Sequence, residues 1–218
     1  IALPVVHDPA MKLRGGLFSY LSRRARRILP PYYAALALFL GLMAAVPILG
    51  TPLTHRWEVA VPAFEVGPIV SHLLLLHDLS PTWVAKIDPP MWSIAIESHI
   101  YFLFPFMLLV WRRFGVTAML ATALLLGNID RAFGQGYYQW ACPWYIFLFA
   151  MGAAAAKATV NPSRALPWTI VAGILLASSY YLIDRQTAQI RRNDHLFGLA
   201  TACALVAFAQ ISREGGRL

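Results

Sequence analysis

The sequence predicts an all-α fold, a polytopic membrane helix bundle with about six spanning helices and one short re-entrant or interfacial helix. Composition is the first indication, because 59% of the 218 residues are hydrophobic and only 13% are charged. The mean hydropathy of +0.59 is well above that of an average soluble domain. The second indication is that long apolar runs alternate with short segments that carry the arginines and lysines.

Six apolar runs approach or reach the roughly 20 helical residues that cross a bilayer core. The run over 66–80 is shorter and contains Pro68 and two histidines, which suits a re-entrant or interfacial helix. The sequence thus predicts a cytoplasmic, amphipathic basic segment over 12–29 and spanning helices over 30–211. The six runs are 30–49, 91–111, 116–129, 142–158, 166–183 and 196–211.

The net charge of +8, from 18 basic and 10 acidic side chains, could indicate a nucleic-acid partner. The basic residues instead cluster between apolar runs, as the positive-inside rule for membrane proteins describes. We therefore predict the lipid bilayer as a partner and no nucleic acid. Three clusters are predicted to share the cytoplasmic side: Lys12 to Arg27, Arg112 with Arg113, and Lys157 with Arg164.

The cysteines and histidines do not form a metal motif. Cys142 and Cys203 both lie in apolar runs, where a cysteine behaves as a small buried hydrophobic residue. His72 and His77 are five residues apart, which is the wrong spacing for one helical face. The sequence contains no His-Glu-x-x-His or Cys-x-x-Cys pattern, and we predict no metal site.

The segment "YLSRRARRILPPYY" carries the densest positive charge. Pro30 is predicted to end this amphipathic helix, because the residue before a proline disfavours helical backbone, and Pro31 suits the first turn of the next helix. Two interpretations remain for the four arginines. They fix the topology and contact anionic lipid headgroups, or their planar guanidinium groups hold the phosphates of a cytosolic donor. The four are Arg23, Arg24, Arg26 and Arg27.

The stretch "PPMWSIAIESHIYFLFPF" places an acid in an otherwise apolar helix. Ser93, Glu97 and Tyr101 are four residues apart and share one face, with Trp92 at the mouth. A charge at the bilayer centre costs at least ~2.5 kcal/mol, so Glu97 needs a partner. It pairs with an arginine of a neighbouring helix, or stays protonated and holds helices together, or is a functional acid in a polar cavity. His99 points to a different face and is interpreted as a packing or interfacial residue.

A third stretch, "YYQWACPWYIFLFAMGAAAA", begins with aromatic residues and ends with small ones. The aromatic residues are typical of an interfacial belt, and they could also line a substrate mouth. Gly152 and the alanines after it are expected to let a neighbouring helix approach closely.

The motifs "SRRARRILPPYYAALAL" and "PPMWSIAIESHIYFLFPF" resemble the two strongest signatures of the acyltransferase 3 family, and "PWYIFLFAMGAAAA" is similar to a looser third block. Members of this family are integral membrane proteins that add acyl groups to glycans, antibiotics and lipids. The resemblance covers 1–218 but only part of a family domain of about ten spans. It implies that the family's histidine base lies before Ile1, so the chain alone is expected to be inactive.

The resemblance also implies a function for each motif. Arg24 and Arg26, with Arg23 and Arg27 beside them, would bind the acyl donor, whereas Ser93, Glu97 and Tyr101 would form the catalytic group, and Trp92 would shape the cavity mouth. The expected activity is transfer of an acyl group to a hydroxyl of a glycan, lipid or small molecule. The expected acyl group is acetyl, with acetyl-CoA as its donor. Acyl-CoA would be a co-substrate, and no bound cofactor is expected.

The expected location is the bacterial inner membrane, which the chain would cross several times. Two alternatives belong to other classes of protein. In a transporter or lipid-handling module, Glu97 would relay protons and the arginines would bind headgroups. In a membrane scaffold, the chain would have no catalytic activity.

Overall fold

A computed structural model describes residues 2–8, 10–51, 58, 60–61, 64–129, 137–161, 165–185 and 190–215. Regular secondary structure within these ranges is entirely helical, which confirms the predicted all-α class. Short 3₁₀ turns occur at Pro47–Gly50, His77–Leu79, Pro89–Met91 and Tyr137–Ala141. The α-helices of the described ranges are Ala2–Val6 (α1), Gly16–Ala45 (α2), Val66–Leu73 (α3), Trp92–Gly127 (α4), Tyr145–Val160 (α5), Ala165–Arg185 (α6) and Ile190–Gly215 (α7).

Four helical segments in the described part of the chain are long and apolar enough to cross a membrane. An additional apolar helix, Leu166–Tyr180, is shorter. The predicted class of membrane helix bundle is therefore supported, whereas the predicted count of about six spans is not confirmed. The four segments are Gly16–Ala45, Pro89–Gly127, Tyr138–Val160 and Asp194–Arg213.

Helix α2 passes through Pro30 and Pro31 without a break, so the predicted helix end before Pro30 is wrong. A proline inside a helix removes a hydrogen bond and costs about 3 kcal/mol or more. Tyr32 and Leu36 follow within the next two turns, and both are buried in a hydrophobic core. Burial of a side chain such as leucine contributes roughly 1.5 to 3 kcal/mol. Leu29, before the prolines, also packs against this core. Packing on both sides of the prolines thus offsets their cost, and the basic segment continues into the apolar part of the same helix.

Helix α4 joins two of the predicted spans into one element of 36 residues. Gly115 lies between them, and its backbone angles, φ 89° and ψ 171°, are not helical. This backbone conformation is essentially confined to glycine, because a Cβ atom would clash with the neighbouring peptide groups. The boundary that the sequence predicts is therefore a kink at Gly115 rather than a loop.

The chain divides into two compact units, each with its own core. The second unit comprises Gly15–Pro105 and Asn128–Pro143. Its core joins α2 to the first turns of α4 and to the segment that precedes α4. Each of these elements contributes side chains that are almost completely buried: Tyr32, Leu36, Met43, Leu75, Ile87, Met91 and Ala95.

The first unit comprises Ile1–Arg14, Phe106–Gly127 and Trp144–Leu218. Helix α5 packs through small side chains, with Ala150 and Ala153 against α4 and Ala155 against α7. Helix α7 approaches α5 closely at Gly198, where a Cβ atom would lie 2.5 Å from Cδ2 of Leu148. Gly152 itself is exposed with open space around it. The prediction of close helix packing is therefore confirmed for the alanines that follow Gly152 and is wrong for Gly152 itself.

Hydrogen bonds at both ends of α5 fix its direction relative to α7. Near the start of each helix, Nε1 of Trp144 donates to Oδ2 of Asp194 at 2.9 Å. Beyond the other end of α5, Nε2 of Gln210 donates to the carbonyl oxygen of Asn161 at 3.0 Å. Helices α5 and α7 therefore run parallel, and α6 carries the chain back from one end to the other.

Candidate functional site

A cleft of about 450 Å³ lies in the second unit, between α2 and the first turns of α4. Its polar lining consists of Arg27, Tyr32, Asp88, Ser93 and Glu97. Apolar side chains complete the wall, as expected for a site that binds an organic molecule. The cleft brings together a cation, two carboxyl groups and two hydroxyl groups from distant parts of the sequence.

Glu97 lines this cleft, and Tyr101 is its hydrogen-bond partner. The hydroxyl of Tyr101, one helical turn further along α4, donates to Oε1 of Glu97. Tyr101 is only 8% exposed, so its ring is held in place by the surrounding helices. A hydrogen bond to an ionised carboxylate is stronger than one between neutral groups. The structure thus provides a stabilising partner for Glu97 that is a tyrosine of its own helix.

The other two residues predicted on this part of α4 differ in position. Ser93 is exposed on the cleft wall, and its hydroxyl donates to the carbonyl oxygen of Pro90 at 3.0 Å. Trp92 is half-buried and is not among the residues that line the cleft. Ser93 and Glu97 therefore line the cleft, whereas Tyr101 is connected to it by its hydrogen bond to Glu97.

The four arginines of α2 have four different environments. Arg27 lines the cleft. Arg24 is half-buried, with its guanidinium carbon 5.6 Å from the ring centre of Tyr20 and 5.4 Å from that of Tyr101. Nη1 of Arg23 donates to Oγ of Ser19 at 2.5 Å. Arg26 is exposed and is not part of the cleft wall. The structure places one of the predicted donor-binding arginines in the cleft and a second beside the partner of Glu97.

The sequence did not indicate the buried acid that contacts His99. Nδ1 of His99 lies 3.2 Å from Oδ2 of Asp78, which is fully buried, whereas the side chain of His99 is 29% exposed. Within the described part of the chain neither carboxylate oxygen of Asp78 has a hydrogen-bond partner, so the contact is not directed as a hydrogen bond. His99 and Glu97 point to different surroundings, as predicted, but no local pattern could have paired His99 with a residue from another segment.

His72 and His77 are stacked and fully buried, although their spacing excludes a shared helical face. Their ring centres are 3.9 Å apart, and their planes are inclined by 7°. The reason is that α3 ends at Leu73 and Leu75 adopts left-handed backbone with φ 54°, so the chain reverses before His77. Tyr32 of the cleft wall donates its hydroxyl to the carbonyl oxygen of His72 at 2.8 Å. The buried histidines therefore lie directly behind the cleft.

Burial sets the protonation of these groups. Burial, together with the neighbouring His72, lowers the pKa of His77 to about 4, although Asp78 opposes the shift. Burial also lowers the pKa of His72, and it raises the pKa of Asp88 in the cleft wall. Both stacked imidazoles are thus neutral at pH 7. No three histidine, cysteine or acidic side chains of the described residues are arranged to hold a metal ion.

The long apolar helices of the described residues indicate an integral membrane protein, and one of its two units contains a polar cleft. A family model described as an acyltransferase domain matches residues 5–216. Because this match spans nearly the whole chain, the chain belongs to the acyltransferase 3 family and is an acyltransferase. No curated protein and no solved structure matches the chain significantly.

Proposed function

We propose that the protein transfers an acyl group from acyl-CoA to a hydroxyl group of a glycan, lipid or small-molecule acceptor. The proposed acyl group is acetyl. The proposed location is the inner membrane of a bacterium. The observation that supports this activity most directly is the cleft in which Arg27 faces the same space as Glu97 and Ser93. A guanidinium group can hold phosphate oxygens, and a carboxylate can orient a hydroxyl group or a base.

The proposed reaction needs one proton acceptor and one site for negative charge. A base takes the proton of the acceptor hydroxyl while its oxygen forms a bond to the thioester carbonyl carbon. The carbon–sulfur bond then breaks, and the coenzyme A thiolate leaves and takes up a proton. The negative charge that develops on the carbonyl oxygen needs preorganised donors. In this scheme Arg27 binds the donor phosphates, and Glu97, held by Tyr101, orients the base or the acceptor hydroxyl.

The test is transfer of labelled acetyl from acetyl-CoA by membranes that contain the protein produced from its native gene. We expect Glu97→Gln to reduce transfer by roughly 10²-fold, which is the usual cost when a catalytic group or its substrate is misplaced. Glu65→Gln is the matched control, because Glu65 is exposed and its side chain makes no capping hydrogen bond to α3. Equal transfer by both variants at equal membrane levels would contradict the proposed role of Glu97.

The same membranes also distinguish an acyltransferase from the alternative, a transporter. In that case, substrate flux would follow a proton gradient, and no acyl group would be transferred by the wild-type protein. Flux without acyl turnover would therefore replace the proposed activity.

A further inference from the structure

The environment of Arg24 differs from that of a phosphate-binding arginine. Its Nε atom is buried and has no hydrogen-bond partner among the residues that the structure describes. Nε belongs to one of the edges with which a guanidinium group grips a phosphate bidentately. Its guanidinium group instead lies within 6 Å of the ring centres of Tyr20 and Tyr101, the range of a cation–π interaction. This arginine is therefore engaged by aromatic rings.

The two tyrosines that flank Arg24 are fixed in place. Tyr20 is 3% exposed, and its hydroxyl donates to the carbonyl oxygen of Tyr101 at 3.3 Å. The ring of Tyr20 also packs against that of Phe104, with ring centres 5.9 Å apart. Arg24 thus lies at a rigid contact between α2 and α4 rather than on a free surface.

Tyr101 connects this contact to the cleft, because its hydroxyl donates to Glu97. We propose that Arg24 is a positioning residue, which holds Tyr101 and through it Glu97, while Arg27 is the arginine that contacts the phosphates of the donor. This division of roles rests on the proposed acyl transfer. Arg24 and Arg27 are three positions apart on the same helix, and the sequence therefore groups them in one basic cluster. The proposal gives these two residues different roles.

The first experiment measures equilibrium binding of coenzyme A to the purified protein, so that its result does not depend on turnover. Loss of a hydrogen-bonded charge contact weakens binding by about tenfold or more. We expect this loss for Arg27→Gln, and no more than about a threefold change for Arg24→Gln. Equal weakening by the two variants would overturn the proposal, because Arg24 would then be a donor ligand.

The second experiment measures the kinetics of acetyl transfer. Displacement of a catalytic group costs roughly 10- to 100-fold in rate, and we expect that loss in kcat for Arg24→Gln, with the KM for acetyl-CoA nearly unchanged. Arg24→Lys keeps a cation near the rings and should retain most of the rate. Tyr101→Phe should lower kcat by a similar factor, and the double variant should be no slower than either single variant, because both act through one path.

Additive effects of Arg24→Gln and Tyr101→Phe would overturn the positioning role, as would a rise in KM alone for Arg24→Gln. If the wild-type protein transfers no acetyl group, the proposed function fails and the kinetic role fails with it. If the wild type is active and Arg24→Gln affects only the KM, the function stands and this inference fails. Membrane levels of each variant, measured in parallel, separate these outcomes from a folding defect.

Discussion

At the scale of single residues, the hydrogen bond between Tyr101 and Glu97 explains how an apolar helix can carry an acid. An unpaired buried carboxylate would become protonated or destabilise the fold. The four-residue spacing places the tyrosine hydroxyl directly beside the carboxylate, within one helix. The guanidinium carbon of Arg24 lies 5.4 Å from the ring centre of the same tyrosine. Glu97 is therefore stabilised by a local hydrogen bond, and the tyrosine that donates this bond also contacts a cation of α2.

His77 provides a prediction for the pH dependence of stability. Its pKa is about 4 in the folded protein and 6.5 when unperturbed, so the unfolded chain binds a proton more readily between these values. The folded state should therefore lose stability as the pH falls from 6.5 towards 4. Thermal unfolding in detergent at a series of pH values measures this loss.

The matched variants for this measurement are His77→Gln and His7→Gln. His77 is fully buried against His72, Tyr32 and Asp78, whereas His7 is exposed. The loss of stability at acidic pH should be smaller in His77→Gln and unchanged in His7→Gln. An identical pH dependence in all three proteins would show that His77 is not the titrating group.

The residues of the candidate site differ in how far the sequence could predict their positions. Ser93, Glu97 and Tyr101 lie on one helix, where a spacing of four fixes a shared face, and they do form one group. The contact of Asp78 with His99 joins two segments, so it depends on tertiary packing that no spacing encodes. The stacking of His72 on His77 depends on the left-handed backbone at Leu75, an apolar residue that carries no turn signal.

At the scale of elements, propensity rules indicate where a helix can be interrupted, but they do not decide whether the helix breaks there. Pro30 and Pro31 were predicted to separate two helices, yet packing of the flanking core keeps α2 continuous. Between the runs 91–111 and 116–129, the sequence also predicts a boundary, and here the chain does leave the helical conformation, at Gly115. The difference is that proline costs energy without requiring another conformation, whereas glycine makes a non-helical conformation accessible.

The kink in α4 should therefore be sensitive to the residue at Gly115. A Cβ atom there would meet no neighbour within 4 Å, so the cost of Gly115→Ala is backbone strain alone. Such strain is worth about 1 to 3 kcal/mol. We expect Gly115→Ala to lower the stability of the protein by that amount in thermal or denaturant unfolding in detergent.

Gly173→Ala is the matched control for this prediction. Gly173 lies inside α6 with helical backbone, and a Cβ atom added there would likewise meet no neighbour within 4 Å. Alanine is favoured over glycine in a helix by roughly 1 kcal/mol, so this variant should be as stable as the wild type or more stable. A loss of stability at Gly173 equal to that at Gly115 would show that the effect does not arise from the kink.

At the scale of the whole molecule, the first unit provides a physical check on the topology that the basic residues predict. Nζ of Lys157 donates to the carbonyl oxygen of Val6 at 3.2 Å, and Nη1 of Arg213 donates to that of Val160 at 3.4 Å. These basic side chains therefore lie at one end of the unit, while Trp144 and Asp194 lie at the other. Basic residues at this end agree with the positive-inside rule, whereas Arg185, Arg191 and Arg192 belong to the helix ends nearest Asp194 and depart from it. Arg164, part of the predicted cluster, lies outside the described residues.

This arrangement predicts which positions can be labelled from outside an intact cell. Arg113 and Arg213 are both exposed and are predicted to face the cytoplasm, whereas Gln139 is exposed in the turn before α5 and should face the opposite side. Each is changed to cysteine in a background in which Cys142 and Cys203 are alanine. A membrane-impermeant maleimide should label Gln139→Cys in intact cells, but Arg113→Cys and Arg213→Cys only after permeabilisation. Labelling of Arg213→Cys alone in intact cells would show that the end of α7 does not share a side with Arg113, and the predicted topology would then be wrong.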